Sequence, residues 1–234
     1  MRYAVYFTPS PDNPLTRAAQ SWLGRNAFTG ETVERAKPVG FTPNELHHLT
    51  HAPRRYGFHA TLLAPFRLRE GLTAADLSAA ADSLAEQTAP FTVSGLAITR
   101  VGSFFALTPT NANDFSALAS AAVDHFDGLR APLNDAEIER RRPELLSERQ
   151  RLYLHRYGYP YVKEEFRFHM TLTGSVDAQA AARIEAVLHD YFGPLVDRTI
   201  EVSAVALFAE HELGADFTVH SIHRFGTAGS RKVA

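Results

Sequence analysis

Two short segments of this sequence carry the same pair of polar residues, a histidine followed two positions later by a threonine. His59 and Thr61 form the first pair, and His169 and Thr171 form the second, about half a chain length further on. An imidazole has an ordinary pKa of roughly 6.5, so one histidine can be neutral while its partner is protonated near pH 7. Such a set could accept a proton, donate a proton and hold the oxygens of one phosphate.

Both pairs lie in segments rich in aromatic and β-branched or aliphatic residues, which predict β-strands. Side chains on a strand alternate between two faces, so each histidine shares a face with its threonine. Arg167 and Thr173 extend this polar row in the second strand. The opposite faces are apolar and are predicted to lie in the core: Tyr56, Phe58, Ala60 and Leu62 in the first strand, and Phe166, Phe168, Met170 and Leu172 in the second.

Hydrophobic periodicity and capping residues predict the elements that must position these two strands. Strands are expected over residues 2–8, 56–65 and 166–174, and hairpins over 91–108 and 198–223. Helices are expected over 14–23, 73–87, 114–126 and 177–191. Residues 24–54 are predicted to form a long, partly helical connection, and 131–160 a helical insertion rich in Arg and Glu and interrupted by Pro143. The tail from residue 226 onward is expected to be frayed.

The two halves of the chain repeat one order of elements, a motif strand followed by a helix and a β-hairpin. This order predicts an α+β fold with two pseudo-symmetric lobes, each an antiparallel sheet with outer helices, forming a central cleft. Residues 1–234 are expected to form a single bilobal domain. Its first lobe would cover about 55–110, its helical insertion about 131–160, and its second motif lobe about 161–225.

The paired His-x-Thr-Leu strands resemble those of the two-histidine (2H) phosphoesterase superfamily, and the resemblance covers nearly the whole chain. The longer segments, Arg-Tyr-Gly-Phe-His-Ala-Thr-Leu-Leu-Ala-Pro-Phe and Phe-Arg-Phe-His-Met-Thr-Leu-Thr-Gly, are similar to one bacterial branch encoded among phosphonate-utilisation genes. The resemblance implies a metal-independent phosphodiesterase without a cofactor, in which His59, Thr61, His169 and Thr171 are catalytic. A phosphorylated ribose cyclic phosphate from phosphonate breakdown is the substrate that this branch implies.

Two alternatives remain open from the sequence. One is an enzyme acting on RNA ends, as a 2′,3′-cyclic phosphodiesterase or a 2′-5′ ligase-like protein, and the other is a phosphoester-binding module without turnover. Binding alone does not require two titrating imidazoles, which disfavours the module. Because the two motifs are nearly symmetric, their sequence does not indicate which histidine is the base and which is the acid.

Several neighbours of the motifs are candidate substrate ligands. Arg167 and Thr173 share the motif face, and Arg55 precedes the first strand at the expected mouth of the cleft. Tyr153, Arg156 and Tyr159 form an aromatic and basic cluster just before the second strand, where they could stack on a base or sugar and hold a phosphate. Each could instead serve packing or a solvated surface.

Composition restricts the classes of partner. The chain has 24 Lys and Arg against 26 Asp and Glu, a formal charge of −2, so duplex nucleic acid is not the expected partner. The absence of cysteine excludes disulfides and thiolate metal ligands. His47, His48 and His51 lack neighbouring carboxylates in a metal-ligand pattern, so no metal site is predicted. No apolar run reaches the ~18 residues of a membrane span, and a cytoplasmic enzyme acting on a small phosphorylated substrate or nucleotide end is expected.

Overall fold

The computed structural model describes residues 1–111 and 114–226, which form an α+β fold as predicted. The strands are β1 (Arg2–Phe7), β2 (Ala60–Phe66), β3 (Phe91–Val93), β4 (Leu96–Val101), β5 (Phe104–Pro109), β6 (Met170–Thr171), β7 (Ile200–Val202), β8 (Ala204–Glu210) and β9 (Thr218–Arg224). The helices are α1 (Pro14–Leu23), α2 (Pro43–Arg54), α3 (Ala74–Gln87), α4 (Phe115–His125), α5 (Asp135–Glu139), α6 (Glu148–Tyr157) and α7 (Ala178–Val196). The fraying predicted from residue 226 onward lies, apart from Gly226 itself, outside the described residues; the backbone N–H of Gly226 donates to the carbonyl of Ala85 at 3.0 Å.

Seven of these strands form one antiparallel sheet in the order β4-β5-β6-β2-β1-β8-β9, and β3 pairs separately with β7. The two motif strands, β2 and β6, are neighbours at the centre of the sheet. The β4–β5 hairpin follows the first motif along the chain but pairs with the second motif strand, whereas β8–β9 joins the half that contains β2. Each hairpin thus joins the half of the sheet that contains the other motif strand. The lobes predicted as continuous segments, 55–110 and 161–225, do not include this exchange.

The faces of the central strands separate a large core from the motif surface. Tyr3, Val5 and Phe7 of β1 point into the main core, while Ala4 and Tyr6 point the other way. The predicted apolar faces of the motif strands also lie in the main core, with Phe58, Ala60, Leu62, Phe166, Phe168, Met170 and Leu172 buried there. At about 25 cal/mol per Å² of apolar surface, this burial stabilises the sheet that carries both motifs.

The motif strands are shorter than the sequence predicts. The strand expected over 166–174 is reduced to Met170–Thr171. Before it, the guanidinium of Arg167 donates to the carbonyl of Phe166, and the ring of His169 donates to the carbonyl of Arg167. In the first segment, Gly57 has a φ of 76°, which starts the strand only at Ala60.

Capping residues explain the helix starts. Thr73 and Asp76 form a capping box on α3, and Ser147 and Gln150 form one on α6. The helix expected over 177–191 instead continues to Val196, because Phe192 and Val196 pack in the core on its buried side despite Pro194. None of the helices in the described ranges is long and apolar enough to cross a membrane.

The predicted hairpin over 91–108 is divided in two. Gly95 adopts a φ of 74°, and the chain leaves β3 there before β4 pairs with β5. The segment predicted as a helical insertion is helical, with α5 and α6 separated at Pro143 by a short 3-10 turn (Pro143–Leu145). The long connection before β2 contains the helix α2, capped by Thr42 and Glu45.

Candidate functional site

The pairing of β2 with β6 brings the four motif residues together. Ala60 lies opposite Met170 in this antiparallel pair. Counting one residue in either direction places His59 opposite Thr171 and Thr61 opposite His169, on the face away from the main core. Directly opposed side chains in such a pair have Cβ atoms roughly 4.5–5.5 Å apart. Two imidazoles and two hydroxyls therefore form one compact cluster.

Both histidines make the same hydrogen bond to their own backbone. The Nδ1 of His59 lies 3.0 Å from the carbonyl oxygen of Gly57, and the Nδ1 of His169 lies 2.8 Å from that of Arg167. Since a carbonyl only accepts, Nδ1 carries the proton in each ring, and the neutral tautomer has its lone pair on Nε2. Each motif thus offers its Nε2 nitrogen for proton transfer.

His59 is packed among aromatic side chains. Its ring stacks on Tyr6 at a centroid distance of 3.8 Å, and Phe208 lies 6.2 Å away. Desolvation by these neighbours, together with the charge of His169, lowers the pKa of His59 from 6.5 to about 4, although the bond to Gly57 opposes the shift. His59 is therefore neutral in the free protein at pH 7.

His169 has a different neighbour. Its only aromatic contact in the described residues is Phe104, at 5.7 Å with the rings tilted by 49°. The position that pairs with Thr171 on the neighbouring strand is Ala106, whereas the position that pairs with Thr61 is Tyr6. The small alanine side chain leaves His169 without the stacked ring that covers His59.

The two threonines also differ in their hydrogen bonds. The hydroxyl of Thr61 lies 3.2 Å from the Nε2 of His59, to which it donates while Nδ1 carries the ring proton. The hydroxyl of Thr171 has no hydrogen-bond partner among the described residues. Both threonines lie on the motif face, where their hydroxyls could donate to the oxygens of a bound phosphate.

Arg167 and Thr173 do not direct their polar atoms at the cluster. The guanidinium of Arg167 donates to the carbonyls of Glu164 and Phe166, at 2.9 and 2.7 Å. Thr173 is buried, and its hydroxyl accepts from the backbone of Phe105 and donates to that of Gly174. Arg167 instead positions His169 through its own carbonyl oxygen.

Arg55 and Tyr56 lie on the motif side. Arg55 pairs with the buried carboxylate of Glu210, and its guanidinium lies 5.3 Å from the ring of Tyr56. Tyr56 was expected in the core by strict alternation, and that expectation is wrong: its ring stacks on Phe217 and lies 6.1 Å from His59. The positive φ of Gly57 reverses the alternation between Tyr56 and the strand.

The predicted cluster before the second motif is divided by the structure. Tyr153 donates to the carboxylate of Glu164, and Arg156 lies 3.5 Å from Asp127, so both serve the packing of the insertion. Tyr159 packs against the main core, and its ring lies 5.0 Å from the guanidinium of Arg141. Burial is the main cause that raises its pKa, which Arg141 lowers and Tyr161 and Tyr56 raise.

Sequence reasoning missed Tyr6 and the residues around Glu210. Tyr6 could be found only by knowing that β1 pairs with β2, since Tyr6 lies opposite Thr61 in that pair.

His47 has ring contacts with His48 and His51 at 6.0 and 6.1 Å. Within residues 1–111 and 114–226, no group of three His, Cys, Asp or Glu side chains could hold a metal ion.

Comparison with known proteins gives a family and two curated relatives. The family model described as "Protein of unknown function (DUF1045)" matches residues 61–218. The chain is 37% identical over 235 residues to a protein of Janthinobacterium sp. (strain Marseille) named ribose 1,5-bisphosphate phosphokinase PhnN, covering 98% of this chain and 52% of that protein. It is 36% identical over 239 residues to the protein of the same name from Laribacter hongkongensis (strain HLHK9), covering 98% and 53%. The chain spans about half the length of these relatives.

Two solved structures share the outline of the fold at low similarity. The protein TT0787 of Thermus thermophilus is 18% identical with a TM-score of 0.48, covering 97% of this chain and all of that one. A protein described as a phosphoesterase is 12% identical with a TM-score of 0.43, covering 97% and 99%. Similarity at this level does not bear on the chemistry of the site.

Proposed function

The chain belongs to the DUF1045 family, whose function is unknown, and from its site we propose that it is a metal-independent phosphoesterase that hydrolyses a cyclic phosphodiester. The observation that carries the proposal is the β2–β6 register, which gathers two Nε2 nitrogens and two hydroxyls on one face. These groups supply an acid, a base and donors for the phosphate oxygens without a metal.

The surroundings of the histidines support an assignment of their roles. His59, with its pKa of about 4, is neutral at pH 7 and accepts a proton from the attacking water at Nε2. The water oxygen forms a bond to phosphorus as the bond to one ring oxygen of the substrate breaks. His169, protonated at both nitrogens, donates the Nε2 proton to that leaving oxygen. Proton exchange with solvent then restores both rings.

The bound substrate strengthens the proposed base. A phosphate anion beside His59 favours the protonated ring, so its pKa rises from the value of the free protein as the proton is transferred. Thr61 and Thr171 donate hydroxyl hydrogen bonds to the non-bridging oxygens. A hydrogen bond to a charged group contributes about 1.5–3 kcal/mol, which helps to hold the phosphorus between the two imidazoles.

The named relatives support a phosphorylated ribose as the substrate class within phosphonate metabolism. They carry the name of a kinase for ribose 1,5-bisphosphate, and this chain matches about half of their length. The sequence of this chain contains no Gly-rich phosphate loop of the Walker type for a nucleotide. Opening a 1,2-cyclic phosphate of ribose 5-phosphate at the oxygen on C2 would yield ribose 1,5-bisphosphate. In the relatives, the half that matches this chain could therefore produce the compound that the named kinase phosphorylates.

The test is a product assay in excess EDTA for the wild type, His59→Ala and His169→Ala. The substrates are ribose 1,2-cyclic phosphate with and without a 5-phosphate, the four nucleoside 2′,3′-cyclic phosphates and a 2′-5′ dinucleotide. We expect turnover to survive EDTA, to fall in both variants, and to persist in the control His189→Ala on the exposed side of α7.

The substrate preference separates the proposal from its alternatives. Preference for a nucleoside cyclic phosphate or the dinucleotide would favour an enzyme of RNA ends. Activity that EDTA abolishes, or that persists in either motif variant, would contradict the two-histidine mechanism. Binding of the substrates without any product would instead support a phosphoester-binding module.

A further inference from the structure

A cavity lined by arginines lies beside the first motif. It has a volume of about 190 Å³, several times the roughly 30 Å³ that one water occupies. Its lining includes Arg2 of β1, Arg55, which follows α2, and Arg140 and Arg141 of the insertion. We refer to this cavity as the arginine pocket.

A buried carboxylate fixes two of the four guanidinium groups. Glu210 is fully buried, yet it pairs with both Arg2 and Arg55 and accepts the backbone N–H of Gly214 at 2.9 Å. Burial raises the pKa of Glu210, but these hydrogen bonds and charges lower it overall, so the carboxylate is ionised at neutral pH. One negative charge faces two positive charges, and each guanidinium has five N–H donors, so the pair retains positive charge and donors for a ligand.

The other two arginines form no ion pair with a carboxylate of the described residues. Arg140 donates to the carbonyl of Ala136 at 3.3 Å, and its charge helps to lower the pKa of Glu137, which also lines the pocket. Glu137 itself is paired with Arg67 at 2.9 Å. The guanidinium of Arg141 lies 5.0 Å from the ring of Tyr159, which holds it on the pocket side. Guanidiniums of like charge around one cavity repel each other, and an anion in the cavity relieves that repulsion.

Tyr56 lines the arginine pocket and also lies near His59 of the first motif. The guanidinium of Arg55 lies 5.3 Å from the Tyr56 ring, and that ring lies 6.1 Å from His59. Burial is the main cause that raises the pKa of Tyr6, which stacks on His59, and Tyr56 and Tyr159 raise it further. A single small ligand could therefore reach from the imidazoles into the arginine pocket.

We propose that the arginine pocket binds a second phosphate of the substrate, a terminal phosphomonoester on the molecule whose cyclic phosphodiester lies between His59 and His169. The inference rests on the proposed function and narrows its substrate to a small phosphorylated cyclic phosphodiester. Guanidinium groups recognise phosphate by paired, charge-assisted hydrogen bonds. The proposal also gives the insertion a role, since the insertion supplies Arg140 and Arg141 to the pocket.

The test compares substrates that differ only in the second phosphate. The substrates are ribose 1,2-cyclic phosphate with and without a 5-phosphate, and adenosine 2′,3′-cyclic phosphate with and without a 5′-phosphate. The variants are Arg140→Gln, Arg141→Gln and their combination, and the control is Arg142→Gln, an exposed neighbour outside the pocket. Arg2 and Arg55 stay unchanged, because removing either would leave Glu210 buried with less compensation.

Within each pair of substrates, we expect the wild type to prefer the one that carries the second phosphate. Each pocket variant should lower the kcat/KM for that substrate roughly tenfold or more. The loss is confined to the phosphorylated member and is absent in Arg142→Gln. An equal loss for both members, or a wild type that does not distinguish them, would overturn the proposal. The proposal would also be overturned if the pocket variants lost affinity for a single-stranded oligonucleotide while the wild type showed no preference for substrates with the phosphomonoester.

A binding measurement keeps this test independent of the reaction. Calorimetric titration with ribose 5-phosphate is expected to show binding to the wild type and to His169→Ala, and at least tenfold weaker binding to Arg140→Gln/Arg141→Gln. If no cyclic phosphodiester is hydrolysed but this pattern holds, the proposed function fails while the pocket stands. If ribose 5-phosphate binds the wild type and the double variant equally, the pocket assignment is wrong whatever the activity.

Discussion

The first and second motif strands hold their histidines by the same backbone hydrogen bond but in different surroundings. On the first, Tyr6 of the adjacent strand pairs with Thr61 and stacks on His59. On the second, the corresponding position beside Thr171 is Ala106, and His169 has only the tilted ring of Phe104 nearby. Two motifs with nearly identical sequences thus differ in the aromatic side chains that pack against their histidines.

The difference between the proposed proton roles therefore has its origin in the neighbouring strands and not in the motifs themselves. A stacked, desolvating ring favours the neutral imidazole and suits a base, as proposed for His59. An imidazole without such a cover can carry its proton to a leaving group, as proposed for His169. Substitutions of the two histidines, of Tyr6 and of the two threonines either remove this asymmetry or measure its size.

The largest expected effect separates the acid from the base. His59→Ala and His169→Ala should each lower kcat/KM on the cyclic substrate about 10²- to 10⁴-fold. On a p-nitrophenyl phosphodiester the leaving group departs as a stable anion and needs little protonation. There His169→Ala should retain most of the wild-type rate, while His59→Ala keeps its loss, as measured by nitrophenolate release.

His189→Ala serves as the control for the loss of an imidazole elsewhere on the surface. A reversed order, in which His59→Ala keeps the rate on the aryl ester, would exchange the two roles. Equal losses on both substrates would mean that the two histidines act as a symmetric pair, and the comparison between the motifs would then have no chemical consequence.

Much of this fold follows from local signals in the sequence. The helix at 73–87 could be predicted because Thr73 caps it and Leu77, Ala81 and Leu84 recur at helical spacing. The core face of the second motif strand follows from alternation, and Phe168 and Met170 are buried as expected. These features depend on residues that are close together along the chain.

Features that depend on distant pairing could not be predicted. The stacking of Tyr6 on His59 requires β1 to lie beside β2, which no local pattern specifies. Arg2 and Glu210 meet across 208 residues, so the arginine pocket has no signature in any one segment. The side of Tyr56 was missed for a local reason, since one glycine with positive φ reverses the alternation.

A second prediction concerns the dependence of stability on pH. The folded pKa of His59 is about 4, against an ordinary value of 6.5, so between these values the unfolded chain binds a proton that the folded protein does not. The free energy of unfolding should therefore rise with pH across this window, with about 3 kcal/mol contributed by His59. Urea unfolding at pH 4.5, 5.5, 6.5 and 7.5 measures this change.

Matched variants assign the effect to the first motif. His59→Asn should flatten the dependence on pH, whereas His169→Asn should leave most of it in place. Tyr6→Ala gives the first motif the small neighbour that the second already has, and the NMR titration of His59 should then move towards 6.5. A wild-type His59 resonance that titrates near 6.5 would contradict the lowered pKa of His59 and remove the basis for its role as the base.

The smallest expected effect distinguishes the two threonines. Thr171→Val removes a hydroxyl that has no protein partner among the described residues of the free site. The variant therefore loses the whole contribution of the hydrogen bond to phosphate, and its kcat/KM should fall about 10- to 150-fold. Thr61→Val should cost less, near the lower end of that range, because the Thr61 hydroxyl must first leave the Nε2 of His59. Steady-state kinetics on the preferred cyclic substrate measures both losses, and Thr61→Ser and Thr171→Ser, which keep the hydroxyl, should restore most of the rate. If Thr61→Val costs more than Thr171→Val, the bond between Thr61 and His59 persists during the reaction and orients the base, and the second motif then contributes less to phosphate binding than the first.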